Sequence, residues 1–183
     1  GLHNARNGAM AAVVGLVVAS PPEAVIDALA RFGGVARRFE HRGAAAGVEF
    51  VDDYAHLPTE VATTIRACRS GSWSRLVAVF QPHRYSRTES LAASFAEAFD
   101  GADVVYVTEV FPAGESPRPG VTGRLVADAV RASRPGTDVR YEPRRDELVA
   151  GLVEELREGD LCLTMGAGDL TSVPDEVRNR LEV

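Results

Sequence analysis

Five short β-rich runs alternate with amphipathic stretches through most of this chain, and that alternation limits the folds open to it. The runs are residues 48–52, 76–80, 103–107, 138–141 and 161–164. Between and after them, apolar residues recur at helical spacing over 58–69, 88–99, 122–132, 146–155 and 174–181. Pro58 suits a first helical position, because its missing N–H would be unpaired there anyway. Strand–helix alternation with short links means βαβ units, hence an α/β fold whose mostly parallel sheet carries helices on both faces. Residues 38–42 read as one more strand, joined to 48–52 as a hairpin around 43–47. Ser86-x-x-Glu89 reads as a capping box for the helix over 88–99.

The first 33 residues depart from this pattern. Residues 7–19 read as a helix apolar all round, which implies burial on more than one side. Pro21-Pro22 breaks it, and 22–32 forms an amphipathic second helix. Two helices cannot make a domain alone, so Gly33-Gly34 is read as a hinge. It separates a helical remnant of another domain (1–33) from a complete domain (34–183). The chain opens on Gly1 without Met, as a processed protein or a fragment would. The unbroken apolar run 9–19 is too short to span a bilayer and lacks a basic flank, so neither a membrane span nor a signal peptide is expected.

Composition excludes several chemistries. A formal net charge of -6 leaves no basic footprint for nucleic acid. All 20 basic residues are arginines, so no Schiff-base or phosphate-loop lysine exists in this chain. Cys68 and Cys162 lie far apart in apolar patterns and read as buried thiols of a reducing cytosol. Without CxxC or clustered His, no metal site is expected.

Two strand-to-helix turns concentrate the reactive groups, in the crevice where α/β sheets bind ligands. The first is Asp52-Asp53-Tyr54-Ala55-His56-Leu57 and the second Gln81-Pro82-His83-Arg84-Tyr85-Ser86-Arg87. Arg84 and Arg87 could converge on one carboxylate or phosphate, or simply pair with nearby acids at the surface. His56 could orient or deprotonate an amine, or be structural. Asp52 and Asp53 could bind ribose hydroxyls or a metal; a strand-ending Asp that caps the next turn is equally common. Tyr54 reads more readily as packing than as reacting. Asn4 and Asn7 could cap the first helix or read an adenine edge. Gly166-Ala167-Gly168-Asp169 lacks a full dinucleotide pattern and reads as a tight turn. Glu109 and Glu115 could line the same crevice and have no assigned role.

Six segments in order, GLHNARN at 1–7, FGGVARRFE at 32–40, VDDYAHLPTE at 51–60, VFQPHRYSRT at 79–88, VFPAGE at 110–115 and MGAGD at 165–169, together resemble the Mur ligases. Within them, the likeness is to the members that join L-alanine to UDP-N-acetylmuramate in peptidoglycan synthesis. That resemblance implies a cytoplasmic, ATP- and Mg2+-dependent ligase that acts through an acyl phosphate. Its third, Rossmann-like domain would be residues 34–183, and 1–33 would be the end of its central ATPase domain. Helix 8–19 would then pack on the rest of that domain. By resemblance, Tyr54, His56, Arg84 and Arg87 hold L-alanine, with His83 in support, while Asn4, Asn7, Arg38 and Asp53 contact ATP. The phosphate-binding loop, the magnesium ligands and the UDP-sugar domain are not among these residues, so the chain by itself is expected to be inactive. The family usually carries a second His where Leu57 stands, so that imidazole's contribution is lost or compensated. A free-standing binding module or inactive paralogue, or the member that recycles a ready-made tripeptide, are the competing readings.

Overall fold

The computed structural model describes residues 2–182, with side chains from residue 5 onward. The chain divides into two compact units, residues 1–35 and 36–183.

The first unit is a helical pair, α1 (Leu2–Val17) and α2 (Pro22–Arg31). Pro21 and Pro22 set the start of α2, with a proline in its first turn. Gly15 lets the helices approach closely, since a Cβ there would lie 2.9 Å from Val25 Cγ2. The expected burial of the first helix is not observed. Met10, Val13, Val14 and Leu16 are exposed, and Val17 is 79% exposed. A pair of helices offers one line of contact, which cannot cover a helix apolar all round. No helix among the described residues is long and apolar enough to cross a membrane.

The second unit is built on a six-stranded sheet. Its strands are β1 (Glu40–Ala45), β2 (Val48–Asp53), β3 (Arg75–Phe80), β4 (Val104–Val107), β5 (Asp138–Tyr141) and β6 (Asp160–Met165). They lie in the order β1-β2-β6-β3-β4-β5. β1 pairs antiparallel with β2, and every other pairing is parallel. The helices are α3 (Pro58–Cys68), α4 (Tyr85–Leu91), α5 (Arg124–Ser133), α6 (Arg145–Glu155) and α7 (Val173–Leu181). On one face Val61 and Ile65 of α3, Phe95 and Phe99, and Val126 and Val130 of α5 pack on the sheet. On the other, Leu148 and Leu152 of α6 pack with Val173 and Val177 of α7. β3 and β6 are therefore buried on both sides, as their continuous apolar runs require. Helices that follow β2, β3 and β4 cover one face and those that follow β5 and β6 the other. The carboxyl ends of β2, β6 and β3 thus form a topological switch point, where open α/β sheets bind ligands.

Two local expectations are corrected. The hairpin loop is not 43–47 but the two residues Ala46 and Gly47, both at positive φ (49° and 76°). Such a turn matches the strand twist, while Gly43 is taken up in a register irregularity between His41 and Ala44. The helix expected over 88–99 starts at Tyr85 and ends as a 3-10 turn over Ala92–Phe95. Its capping box does not form. Ser86 gives its N–H (2.9 Å) and hydroxyl (2.5 Å) to Glu115, while Glu89 pairs with Arg118. A carboxylate brought in by the loop after β4 outcompetes the local one.

Candidate ligand crevice

At the end of β2, Asp53 closes the strand and shapes the turn. Its two carboxylate oxygens accept the N–H groups of Ala55 and Phe39, each at 2.8 Å. Burial raises its pKa above the ordinary aspartate value, against the lowering effect of those two bonds. Asp52 is engaged on all sides. It accepts the hydroxyls of Thr164 and Thr171 at 2.7 Å and lies 3.3 Å from Arg37 Nε. The sequence reading that offered Asp52 to ribose or metal is corrected, because it is 1% exposed and ties β2 to β6, to the turn after it and to Arg37.

Tyr54 and His56 project from the same turn, with rings edge to face at 5.5 Å. His56 Nδ1 is 3.1 Å from the Tyr54 carbonyl oxygen, which can only accept. The proton therefore sits on Nδ1, and Nε2 carries the free lone pair. Leu57 precedes α3, and Glu60 in the first turn accepts the backbone N–H groups of His56 (2.9 Å) and Leu57 (3.1 Å).

The second turn meets the first through a pair of imidazoles. His56 and His83 have ring centroids 5.7 Å apart, and His83 stacks on Phe111 at 5.6 Å and 16°. The stack is held by backbone, since the β3–β4 pairing continues past both strand ends. Phe111 donates to Pro82 O and Arg84 donates to Phe111 O, both at 2.8 Å, with His83 bridged to Phe111. His83 Nδ1 lies 3.1 Å from Arg87 Nη1, a group that can only donate. His83 is thus the opposite tautomer, with its proton on Nε2. Burial, followed by the Arg87 guanidinium, His56 and Arg84, pushes its pKa below the ordinary histidine value and keeps it neutral.

Arg84 is exposed and sits at φ 70°, ψ 135°, outside the regions L-residues favour. Among the described residues neither Arg84 nor Arg87 forms an ion pair with a carboxylate. The alternative of surface arginines bound to nearby acids therefore does not hold. Arg38 is also exposed, with its guanidinium 5.4 Å from the Tyr54 ring centroid. Asn7 is exposed on α1, and the side chain of Asn4 lies outside the described residues.

Sequence reasoning missed four contributors. Arg37 stands 5.0 Å from the Tyr54 ring and donates to Gly166 O at 2.6 Å, anchoring the turn after β6. Glu60 sits in a recognised motif but its turn back toward His56 needs the helix start in place. Phe111 comes from a different strand end, and Gln81 donates to Asp169 Oδ1 at 2.8 Å. The Gly166–Asp169 segment is the tight turn the sequence suggested. A Cβ on Gly168 would stand 2.5 Å from Phe111 Cγ, so only glycine allows the contact. A cavity of about 220 Å3 lies at the carboxyl ends of β3 and β4, between Phe111, Arg145 and Asp169. His56, Arg84 and Arg87 are not among its walls. Its polar side chains are already engaged, Gln81 with Asp169 across the cavity and Glu109 and Arg145 with Tyr141, Gly123 and Glu176 outside it, so the unpaired donors and acceptors of the imidazole pair mark the candidate site. Cys68 and Cys162 are buried and free, as the sequence led us to expect.

Residues 37–168 match the family model described as "Mur ligase, glutamate ligase domain". The chain is 50% identical over 99% of its length to a UDP-N-acetylmuramate–L-alanine ligase of Kineococcus radiotolerans and 48% identical over 97% to one of Myxococcus xanthus. It spans 38% and 37% of those proteins. Among solved structures, the UDP-N-acetylmuramate-alanine ligase of Thermotoga maritima superposes with a TM-score of 0.79 at 27% identity, covering 98% of this chain and 38% of that one. With the fold, the switch-point crevice and the family model in agreement, this chain belongs to the Mur ligase family.

Proposed function

We propose that this chain is the C-terminal part of a cytoplasmic ligase that joins L-alanine to UDP-N-acetylmuramate in peptidoglycan synthesis, using ATP. One observation carries the reading, the donor and acceptor inventory of the crevice. His56 Nε2 offers a lone pair, while the His83 Nε2–H and the guanidiniums of Arg84 and Arg87 offer only donors. A small zwitterion satisfies both sets, its carboxylate against the arginines and His83, its amine toward His56. Tyr54 walls the crevice beside His56.

In this reading ATP supplies the phosphoryl group that activates the muramyl carboxylate. The residues of this chain orient the attacking amine and hold its carboxylate, and positioning of that kind accounts for much of a ligase's rate. Arg38, exposed and without an ion pair among the described residues, fits a phosphate. Asp53, with a remaining lone pair on each oxygen, would take ribose. Residues 1–33 would be the end of the central ATPase domain. The ligase reading also calls for Mg2+, whose main ligands would come from the rest of the full-length ligase.

The test is kinetic, on the full-length protein. Arg87→Ala should raise the KM for L-alanine at least tenfold and leave that for ATP nearly unchanged. A change confined to ATP would overturn the assignment, and faster turnover with a tripeptide than with L-alanine would move the chain to the recycling branch.

A further inference from the structure

Glu60 lies in the first turn of α3, and one of its oxygens performs three tasks at once. Oε2 accepts the His56 N–H at 2.9 Å and the Leu57 N–H at 3.1 Å, and stands 3.4 Å from His56 Nδ1. Helix capping alone would account for the two backbone bonds. It does not account for a carboxylate lying against the imidazole whose other nitrogen is free. The reciprocal half of a capping box is absent too, because Leu57 has no acceptor to give back.

We propose that Glu60 is a positioning residue for the reaction, fixing the His56 ring and stabilising its cation as Nε2 takes a proton from the incoming amine. This rests on the ligase reading above. The transfer balances simply. An N–H bond of the substrate ammonium breaks, and its electron pair stays on nitrogen as the nucleophile. The proton joins the Nε2 lone pair, and the imidazolium later gives it to water. While the charge resides on His56, Nδ1–H faces the Tyr54 carbonyl and the Glu60 carboxylate together, at 3.1 and 3.4 Å. Among the described residues nothing else around the ring competes for this role. Tyr54 meets it edge-on, and His83 is neutral and already bonded to Arg87. The Tyr54 carbonyl fixes the tautomer without help, so the carboxylate's contribution is the charge. The side chain is about one-third exposed (32%), which keeps that contribution moderate.

The experiment compares Glu60→Gln with wild type in the full-length protein. Glutamine keeps an acceptor oxygen for both backbone N–H groups and removes only the charge. The expected result is a fall in kcat of about tenfold, a KM for ATP within twofold of wild type, an unchanged melting temperature, and displaced 15N resonances of the His56 ring. A wild-type kcat in the variant would overturn the proposal. So would ring resonances that do not move, or a loss of kcat that tracks a loss of folded protein. If wild-type protein fails to ligate L-alanine, the ligase reading fails instead, and the 15N comparison still decides whether the carboxylate acts on His56.

Discussion

Arg84 joins strain and function at one backbone position, and replacing it should separate them. Its φ of 70° and ψ of 135° are held from three sides. Its N–H donates to Phe111 O at 2.8 Å, and its own carbonyl accepts the N–H (3.0 Å) and hydroxyl (2.9 Å) of Thr88. Holding an L-residue there costs about 1–2 kcal/mol, a cost that glycine does not bear. Glycine in turn loses roughly 0.5–1 kcal/mol more chain entropy on folding. The side chain is exposed and free of ion pairs among the described residues, so its removal costs little stability. Arg84→Gly should therefore exceed Arg84→Ala in stability by about 1 kcal/mol, which at this size means a melting point higher by about 2–4 °C. Both variants should lose affinity for the amino acid equally, since both lose the guanidinium. Thermal and urea melts of the two, read side by side, give the answer. If the glycine variant is no more stable than the alanine one, the backbone is not strained at this position and the reasoning fails.

Two further perturbations probe the scaffold. Arg75 holds Asp160 with two bonds (3.0 and 2.7 Å) and Glu155 with a third (2.8 Å), at the amino ends of β3 and β6. Asp160 is 1% exposed, so Arg75→Ala strands a buried carboxylate and should cost about 2–3 kcal/mol, below the fully buried case because Arg75 is itself 25% exposed; urea denaturation reads it. His83 binds its proton more weakly folded than unfolded, so the unfolded state holds more protons as pH falls through 6.5. Its contribution is present above that pH and is lost as pH drops toward the folded value. His83→Gln should therefore be less sensitive to acid as pH falls below about 6.5, and an unaltered acid limb in the melting curves would contradict the neutral assignment.

How much of this could be read in advance depends on how local each cause is. The strand–helix alternation is a property of short windows, and the sheet followed from it with strand ends displaced by at most three residues. The meeting of the His56 and Arg84 turns was legible because both leave strand carboxyl ends, and parallel topology gathers such ends on one edge. Partner choice was less legible. Ser86 had a plausible acceptor three residues away and took Glu115 instead, 29 residues on. Asp52 and Asp53 are neighbours, yet strand pleating sends them to different sides, one to Thr164 and the other to the turn. Arg38 was singled out while Arg37, one residue earlier, makes the anchoring bonds. Phe111 escaped notice because a ring's usefulness depends on what the tertiary structure stacks on it.

The contact between Gly168 and Phe111 bears on any attempt to retune this crevice for a different amino acid. A larger residue at 168 would evict the ring that backs His83, although 168 lies outside the two turns that carry the imidazoles and guanidiniums. Gln81, Phe111 and Gly168 therefore behave as one heritable block. Libraries that randomise His56 and Arg87 while leaving those three untouched should yield folded, selectable proteins, and libraries that vary them singly should yield mostly losses.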